Sequence, residues 1–195
     1  RVVTVPFTEA ARIDEAALAD LTANAIRMMD NVVDASRFPL EAQAQEAQAK
    51  RRIGLGVTGL ADALAMTGQR YGSSEAADVT SQWMAIIANA AYRTSAFLAQ
   101  EKGAFPLYDA AAYAEAPMVR RLDSAVQALI AEHGLRNALL TSIAPTGTIS
   151  LYAGNVSSGI EPIFATSYTR KVLQPDGTRT EEEVVDYAVQ MWRDL

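Results

Sequence analysis

The sequence has 195 residues, of which 50% are hydrophobic and 21% are charged, a composition typical of a globular domain and not of a disordered chain. Its formal net charge of −6 argues against a general nucleic-acid or membrane surface, although a local phosphate site stays compatible with it because distant charges are screened. The absence of cysteine excludes disulfides, thiolate metal sites and thiol nucleophiles within these residues.

No apolar run approaches the ~20 residues that a membrane-spanning helix needs, and no signal peptide is visible. The first residue is Arg1 and not methionine, and a strand-like VVTV follows it. We therefore expect an excerpt from a longer, cytoplasmic protein.

The first 50 residues are predicted to be mainly helical. Asp14 is placed to cap a helix over residues 14–35. Apolar residues at spacings of three and four predict the buried stripe of this helix: Leu18, Leu21, Ala25, Met28 and Val32. The next segment, EAQAQEAQAKRR, has a high helix propensity but only alanine to bury, so we expect it to be exposed or to pack against a partner.

Three further helices are predicted before residue 135. A short helix covers 60–67, a long one capped by Ser73 or Ser74 covers 75–101, and a third covers 118–132. Their expected inward residues are Val79, Trp83, Ile86, Ile87, Ala90, Phe97 and Leu98 in the long helix and Leu122, Val126 and Leu129 in the third.

The last third of the chain is predicted to be more extended. ALLTSIAP (138–145) is a continuous apolar run that predicts a strand buried on both faces, and residues 160–173 also favour extended structure. Residues 175–177 predict a turn, and Thr180 with Glu183 forms a capping-box pattern for a final helix. No repeat or linker divides the chain, so residues 1–195 are interpreted as one α/β, predominantly helical unit with a few short strands.

The stretch GLGVTG (54–59) has the spacing of a dinucleotide-binding fingerprint. That fingerprint needs a buried strand before it and an acid at the end of the next strand. Here AQAKRR precedes it, and the acids at the right distance, Glu75 and Asp78, begin the long helix. The favoured interpretation is that the glycines allow close backbone approach, and the alternative is an NAD-type site.

A second candidate anion site follows the predicted strand 138–143, in the sequence APTGTIS (144–150). Proline ends the strand, Gly147 gives the backbone freedom, and two threonines add hydroxyl donors. If a helix begins here, successive N–H groups converge on one point, with the positive end of the helix behind them. A phosphate loop and a capped strand–helix turn both fit this pattern.

Three segments carry a resemblance to a known family: RRIGLGVTGLADAL (51–64), HGLRNALLTSIAPTGTIS (133–150) and SSGIEPIFA (157–165). They resemble the catalytic chain of ribonucleotide reductases, and APTGTIS followed by AGNVSSGIEPIF is most similar to the adenosylcobalamin-dependent, class II branch. The opening residues 6–40 match the same family in order and spacing.

The resemblance implies that this chain is a fragment of a ten-stranded α/β barrel that reduces ribonucleotides to deoxyribonucleotides through a thiyl radical. It implies that Pro145, Thr146, Gly147, Thr148 and Ile149 hold the substrate phosphates, with Ala144 and Ser150 as weaker candidates. Four residues of the following segment, Asn155, Ser157, Ser158 and Glu161, are expected near the barrel mouth, although Glu161 fits a surface or ion-paired carboxylate equally well.

This sequence departs from the family in lacking the radical cysteine, the electron-donating cysteine pair and the accompanying asparagine and glutamate. We therefore expect no catalytic residue and no metal ligand in this chain, and no activity from it alone. His133 beside Gly134 is interpreted as a helix cap.

For the full-length enzyme the resemblance implies adenosylcobalamin as cofactor, a thioredoxin-type reductant as partner and a homo-oligomer as an option. The rival hypothesis is a non-enzymatic helical scaffold or interaction domain.

Overall fold

The computed structural model describes residues 2–195. Helices make up most of this part of the chain: α1 (Glu15–Ala35), α2 (Glu41–Lys50), α3 (Leu60–Met66), α4 (Ser74–Lys102), α5 (Ala110–Glu115), α6 (Pro117–Arg120), α7 (Ser124–His133), α8 (Gly147–Tyr152) and α9 (Tyr187–Arg193). Strands β1 (Val3–Thr4) and β2 (Arg12–Ile13) form one antiparallel pair, and β3 (Ser167–Leu173) and β4 (Arg179–Val185) form another. The predicted helical α/β character is confirmed, and the described residues form no closed barrel.

Helix α1 begins as the sequence predicts, because the Asp14 carboxylate accepts a hydrogen bond from the Ala17 amide at 3.0 Å. The predicted buried stripe is wrong in part. Leu21, Met28 and Val32 are 59%, 62% and 55% exposed, and the buried residues of the helix are Thr22, Ile26 and Asp30. Helix α1 packs against α4 through the face that carries these three buried residues.

The polar residue on that face, Asp30, is stabilised by a buried ion pair. Its carboxylate accepts hydrogen bonds from Arg51 Nη2 at 2.7 Å and from Asn137 Nδ2 at 3.0 Å. Arg136 Nε lies 3.5 Å from the same carboxylate. A buried charge is tolerated only when it is paired and hydrogen-bonded, and these contacts tie α1 to the segments before residue 52 and after residue 135.

Helix α4 contributes four buried residues, Ala91, Tyr92, Ala96 and Leu98, to the largest apolar core. Ser73 caps it by accepting a hydrogen bond from the Ala76 amide at 3.1 Å, as predicted. Of its expected inward residues, Ile87, Ala90 and Leu98 are buried, whereas Phe97 is 45% exposed, which corrects that assignment. The same core contains Ile26, Val126, Ile130, Leu135 and Leu140, so it joins α1, α4 and α7.

The single helix predicted over 118–132 is divided into α6 and α7. Asp123 has extended dihedral angles of φ −57° and ψ 143°, and its amide donates to Asn89 Oδ1 at 2.8 Å, so the helix cannot continue through it. Leu122 and Val126 are buried as expected.

The segment 138–145 is extended but is not a strand buried on both faces. Its pairing is a parallel bridge between Leu55 and Thr141, supported by Leu55 N–H donating to Leu140 O at 2.8 Å and Ser142 N–H donating to Leu55 O at 2.9 Å. Leu140 is buried, but Leu139 and Ile143 are 55% and 58% exposed. Only one side of the segment is therefore packed within the described residues.

This pairing explains two of the glycines in GLGVTG. A Cβ atom added to Gly56 would lie 2.7 Å from the carbonyl oxygen of Ser142, and one added to Gly54 would lie 3.1 Å from Ser142 Cβ. Of the residues before the motif, those up to Lys50 form α2, and residues 51–53 belong to no assigned strand. The interpretation of the glycines as a device for close backbone approach is supported.

The C-terminal region contains a hairpin and a helix. Strands β3 and β4 pair from Ser167 with Val185 to Leu173 with Arg179, around the predicted turn at 175–177. The extended structure predicted from residue 160 becomes a strand only at Ser167. The capping box predicted at Thr180 and Glu183 is wrong, since both lie in β4.

Asp186 caps α9 instead, by accepting from the amides of Ala188 at 3.0 Å and Val189 at 3.2 Å. Helix α9 packs against α3, and a second apolar cluster joins them to β1 and β2 through Val3, Ile13, Met66, Ala188 and Met191. Searched over residues 2–195, the helices include none with the length and apolar character to cross a membrane.

Candidate functional site

The loop that enters α8 leaves a row of backbone amides without intramolecular acceptors. Helix α8 starts at Gly147, so the N–H groups of Gly147, Thr148 and Ile149 lie in its first turn, where no intrahelical carbonyl can reach them. No other acceptor within residues 2–195 bonds to these three amides. All three residues are exposed, so the amides are open to an anion from outside.

Thr146, immediately before the helix, has a strained backbone. Its φ of 54° and ψ of 24° lie in the left-handed region, which is unfavourable for a β-branched residue. The Thr146 hydroxyl oxygen accepts a hydrogen bond from the Gly159 amide at 2.7 Å. This bond holds the strained turn in place and leaves the hydroxyl proton for another acceptor.

Ala144 and Ser150 lie on either side of this turn, Ala144 exposed and Ser150 buried. A Cβ atom on Gly159 would lie 2.6 Å from the Ala144 carbonyl oxygen, so the two backbones are in close contact. Ser150 is buried, its hydroxyl donates to Gly147 O at 2.8 Å, and it lies 3.0 Å from the Ser158 hydroxyl. Both residues are placed to support the loop.

A cavity of ≈ 590 Å³ lies beside the loop. Its lining includes Gly147 and Thr148 from the start of α8, Ser158 and Glu161 from the following segment, and Asp186 from the cap of α9. This volume is within the range of ordinary small-molecule sites. The cavity therefore offers space directly adjacent to the free amides.

The segment 155–159 connects the loop to α3. Ser157 is buried, and its amide donates to Asp62 Oδ2 at 2.7 Å. Its hydroxyl oxygen accepts from the Ala61 amide at 3.2 Å, and its carbonyl oxygen accepts from the Gly59 amide at 2.7 Å. Ser157 is thus fixed on the N-terminal turn of α3.

Two buried carboxylates meet at this junction. Asp62 Oδ1 and Asp186 Oδ1 each accept from the Ala188 amide at 3.0 Å, and both residues are nearly inaccessible to solvent. Burial, and then repulsion from the Asp62 carboxylate, raise the pKa of Asp186 to about 6. The Asp186 carboxyl group therefore takes up its proton at a higher pH than an ordinary aspartate does.

Asn155 fixes the other end of this segment. It has a φ of 61°, its side-chain amide donates to Val185 O at 3.0 Å, and its Oδ1 accepts from the Tyr168 hydroxyl at 3.2 Å. Glu161 is exposed, and its amide donates to Ser158 O at 2.8 Å. Asn155, Ser157, Ser158 and Glu161 all line this cavity, and their expected position near a barrel mouth stays a prediction.

His133 ends α7, with its Nε2 3.7 Å from Glu132 Oε1, and it does not line this cavity. Within residues 2–195, no group of three or more His, Asp or Glu side chains is arranged to hold a metal ion.

Comparison with known proteins assigns this sequence to a family. Residues 2–194 match the family profile described as ribonucleotide reductase, barrel domain. The chain belongs to this family. The resemblance predicted from three sequence segments is therefore confirmed.

Relatives within the ribonucleotide reductase family include the vitamin B12-dependent ribonucleoside-diphosphate reductase of Mycobacterium tuberculosis, 40% identical over 162 residues, which are 83% of this chain and 21% of that protein. The enzyme of the same name from Thermoplasma acidophilum is 36% identical over 162 residues, which are 83% of this chain and 19% of that protein. The ribonucleoside-diphosphate reductase large subunit of Caenorhabditis elegans is 30% identical, with 85% of this chain and 22% of that protein covered. The chain spans about a fifth of the length of these curated relatives.

Sequence reasoning missed two residues of the site, Asp62 and Asp186. A signal for each is present in retrospect. Asp62 is the only charged residue of the apolar run LADALAM, and Asp186 directly precedes the helical pattern YAVQMW as an N-cap would. Their convergence needs the packing of α9 on α3, which the sequence pattern does not specify.

Proposed function

We propose that this chain is part of a ribonucleotide reductase and that Pro145, Thr146, Gly147, Thr148 and Ile149 hold the phosphates of the ribonucleotide substrate. The observation that carries the proposal is the set of three free amides at the start of α8 beside a hydroxyl-bearing, strained Thr146. An anionic acceptor satisfies all of these donors at once. Each hydrogen bond to a charged group contributes about 1.5–3 kcal/mol, so three to five of them suffice to hold a phosphate.

In this proposal the chain contributes orientation. The loop fixes the phosphates, Ser150 and Ala144 support the loop, and the ribose is thereby placed for reaction with groups outside these residues. Thiyl radical chemistry requires cysteine, and this sequence contains none. The radical cysteine and the electron-donating pair are therefore assigned to other parts of the whole protein, together with the docking site of a thioredoxin-type reductant.

Adenosylcobalamin is proposed for the whole protein because the relatives from Mycobacterium tuberculosis and Thermoplasma acidophilum are named vitamin B12-dependent. When bound, this cofactor supplies the initiating radical. No residue of this chain is assigned to the cofactor, and the single histidine lies at the end of α7.

We also propose a place for this chain in the reductase barrel. Residues 138–145 and the segment that pairs with them are proposed to be strands of the ten-stranded reductase barrel, since their outer face carries the exposed Leu139 and Ile143. Residues 1–195 are proposed to be one unit of this barrel, because apolar clusters connect its first strands with its last helix. A cytoplasmic location and a homo-oligomeric state are proposed with the reductase activity.

The loop assignment is tested with Gly147→Val in the full-length protein. A Cβ atom at Gly147 meets no atom within 4 Å, so the fold should persist while the branched side chain obstructs the anion. We expect at least about tenfold weaker binding of a ribonucleoside diphosphate, which corresponds to about 1.4 kcal/mol. Ser74→Val is the matched control, because Ser74 is also the first residue of an exposed helix start. Unchanged affinity of Gly147→Val would refute the phosphate loop.

The scaffold alternative is tested by the adjoining coding sequence. A finger-loop Asn-x-Cys-x-Glu upstream of these residues supports the reductase, because it supplies the thiol that this chain lacks. Full-length protein without such a cysteine would have no radical site and would favour a scaffold. Deoxyribonucleotide formation by the purified full-length protein, measured with cobalamin and a dithiol, decides between the two.

A further inference from the structure

The segment 157–159 joins two structures that are distant in sequence, α3 and the loop before α8. On the α3 side, Ser157 makes three hydrogen bonds, to Asp62, Ala61 and Gly59. Its whole peptide unit is thereby fixed, and the most buried of these partners is the Asp62 carboxylate.

On the loop side, the neighbours of Ser157 hold the residues proposed to bind phosphate. The Val156 amide donates to Ser150 O at 3.2 Å. The Ser158 and Ser150 hydroxyls lie 3.0 Å apart, and the Gly159 amide donates to Thr146 Oγ1 at 2.7 Å. A displacement of Ser157 would therefore be transmitted to Thr146 within two residues.

Asp62 is well suited to fix this segment. Its two carboxylate oxygens accept from two different backbone amides, Oδ2 from Ser157 at 2.7 Å and Oδ1 from Ala188 at 3.0 Å. None of the cation–carboxylate pairs of residues 2–195 includes it. A buried carboxylate that is compensated by backbone donors depends on their geometry and in turn fixes it.

We propose that Asp62 is a positioning residue for the phosphate loop: through Ser157 it sets the place of Gly159, and through Gly159 the strained conformation of Thr146. This inference rests on the proposed function of residues 145–149. Asp62 itself touches no substrate, since its oxygens are occupied by amides of the protein.

The test is Asp62→Asn in the full-length protein. Asparagine keeps the shape of the side chain but replaces one acceptor oxygen with an NH₂ group, so either Ser157 or Ala188 faces a donor. With cytidine diphosphate and cytidine as probes, we expect about tenfold weaker binding of the diphosphate and unchanged binding of the nucleoside. Asp14→Asn is the matched control, because Asp14 also accepts from a backbone amide but lies at the start of α1.

A double-mutant cycle separates positioning from general stabilisation. If Asp62 acts through the bond between Gly159 and Thr146, then Asp62→Asn adds little to the loss already caused by Thr146→Val, so the two effects are non-additive. Additive losses, or an equal loss of diphosphate and nucleoside binding, would show a general structural role and overturn the inference.

Two further outcomes are distinguishable. If Gly147→Val weakens diphosphate binding and Asp62→Asn does not, the phosphate loop stands and the positioning role is wrong. If neither variant changes the affinity, the phosphate loop is wrong and the inference fails with it. Should Asp62→Asn not fold, Asp62→Glu, which keeps both acceptor oxygens but displaces them by one methylene from the Ser157 and Ala188 amides, tests the same connection with the same expected loss.

Discussion

At the scale of single residues, this chain buries carboxylates in two different ways. Asp30 is surrounded by Arg51, Arg136 and Asn137, so a cation compensates its charge. Asp62 and Asp186 share a backbone amide instead. The first arrangement places positive charge beside the buried carboxylate, whereas in the second burial and the neighbouring carboxylate raise the pKa of Asp186.

Asp186→Asn tests the second arrangement. The pKa of Asp186 in the folded chain is about 6, above the ordinary 3.8. Its protonated form therefore stabilises the fold fully below the ordinary pKa, and this contribution of about 3 kcal/mol is lost as the pH rises through about 6. Asparagine stays neutral and still caps α9.

The unsubstituted chain should lose this stability as the pH rises, and Asp186→Asn should not. We therefore expect the free energy of unfolding of Asp186→Asn, minus that of the unsubstituted chain, to increase between about pH 4 and about pH 7. Urea unfolding at a series of pH values measures this difference. A difference that is constant with pH, or that shrinks as the pH rises, would contradict the raised pKa.

Arg51→Met tests the first arrangement. The Arg51 side chain is 3% exposed and its partner Asp30 is fully buried, so removing the guanidinium leaves a poorly compensated buried charge. We expect a loss of about 3 kcal/mol in the free energy of unfolding. Arg27→Met is the control, because its pair with Glu101 is about half exposed and should contribute less than about 1 kcal/mol. Equal losses in chemical denaturation would mean that burial does not decide the strength of these pairs.

Residues with local signals were predictable from the sequence, and residues that need tertiary contacts were not. Asp14 and Ser73 were identified as caps because a cap depends on the next three residues alone. The turn at Thr146 and Gly147 that leads into α8 has a local signal of the same kind, because proline, threonine and glycine follow one another directly, and its phosphate-binding role stays a prediction. Asp30 was missed because its burial depends on Arg51, which is 21 residues away.

At the scale of elements, the same limit appears in helix α1 and strand β4. Leu21, Met28 and Val32 lie at helical spacing and are exposed, because the helix has two candidate faces and the one bearing Ile26 meets α4. In β4, Thr180 and Glu183 have the spacing of a capping box, but pairing with β3 holds them in a strand. Periodicity predicted that elements exist and could not specify which face or partner they take.

The close contact between Gly56 and Ser142 gives a prediction at this scale. A Cβ atom at Gly56 would lie 2.7 Å from the Ser142 carbonyl oxygen, so Gly56→Ala must separate the segments that pair through Leu55. We expect a loss of about 1–3 kcal/mol in the free energy of unfolding. Gly147→Ala is the control, because its Cβ atom meets nothing within 4 Å. Similar unfolding curves for the two variants would rule out the close approach.

At the scale of the whole molecule, the described residues combine closed apolar cores with an open edge at residues 138–143. The main core between α1, α4 and α7 is sealed from solvent, and the cluster around Met66 closes the contact of α3 with α9. Within residues 2–195, the segment 138–143 pairs along one side only, with residues 50–55. An extended segment with a free edge and exposed apolar side chains is a site of intermolecular pairing.

We therefore predict that the purified chain self-associates through this edge. Leu139 and Ile143 lie on the same side of the extended segment, at 55% and 58% exposure, and the proposed barrel strands of the whole protein would cover them. The double variant Leu139→Lys, Ile143→Lys should lower the association measured by sedimentation velocity over a range of concentrations, because lysine protects free strand edges. Leu173→Lys is the control, since Leu173 is 66% exposed but lies in the β3–β4 hairpin. Association that both variants reduce equally would assign the effect to general apolar exposure, and a chain that stays monomeric at every concentration would show that the edge does not drive pairing.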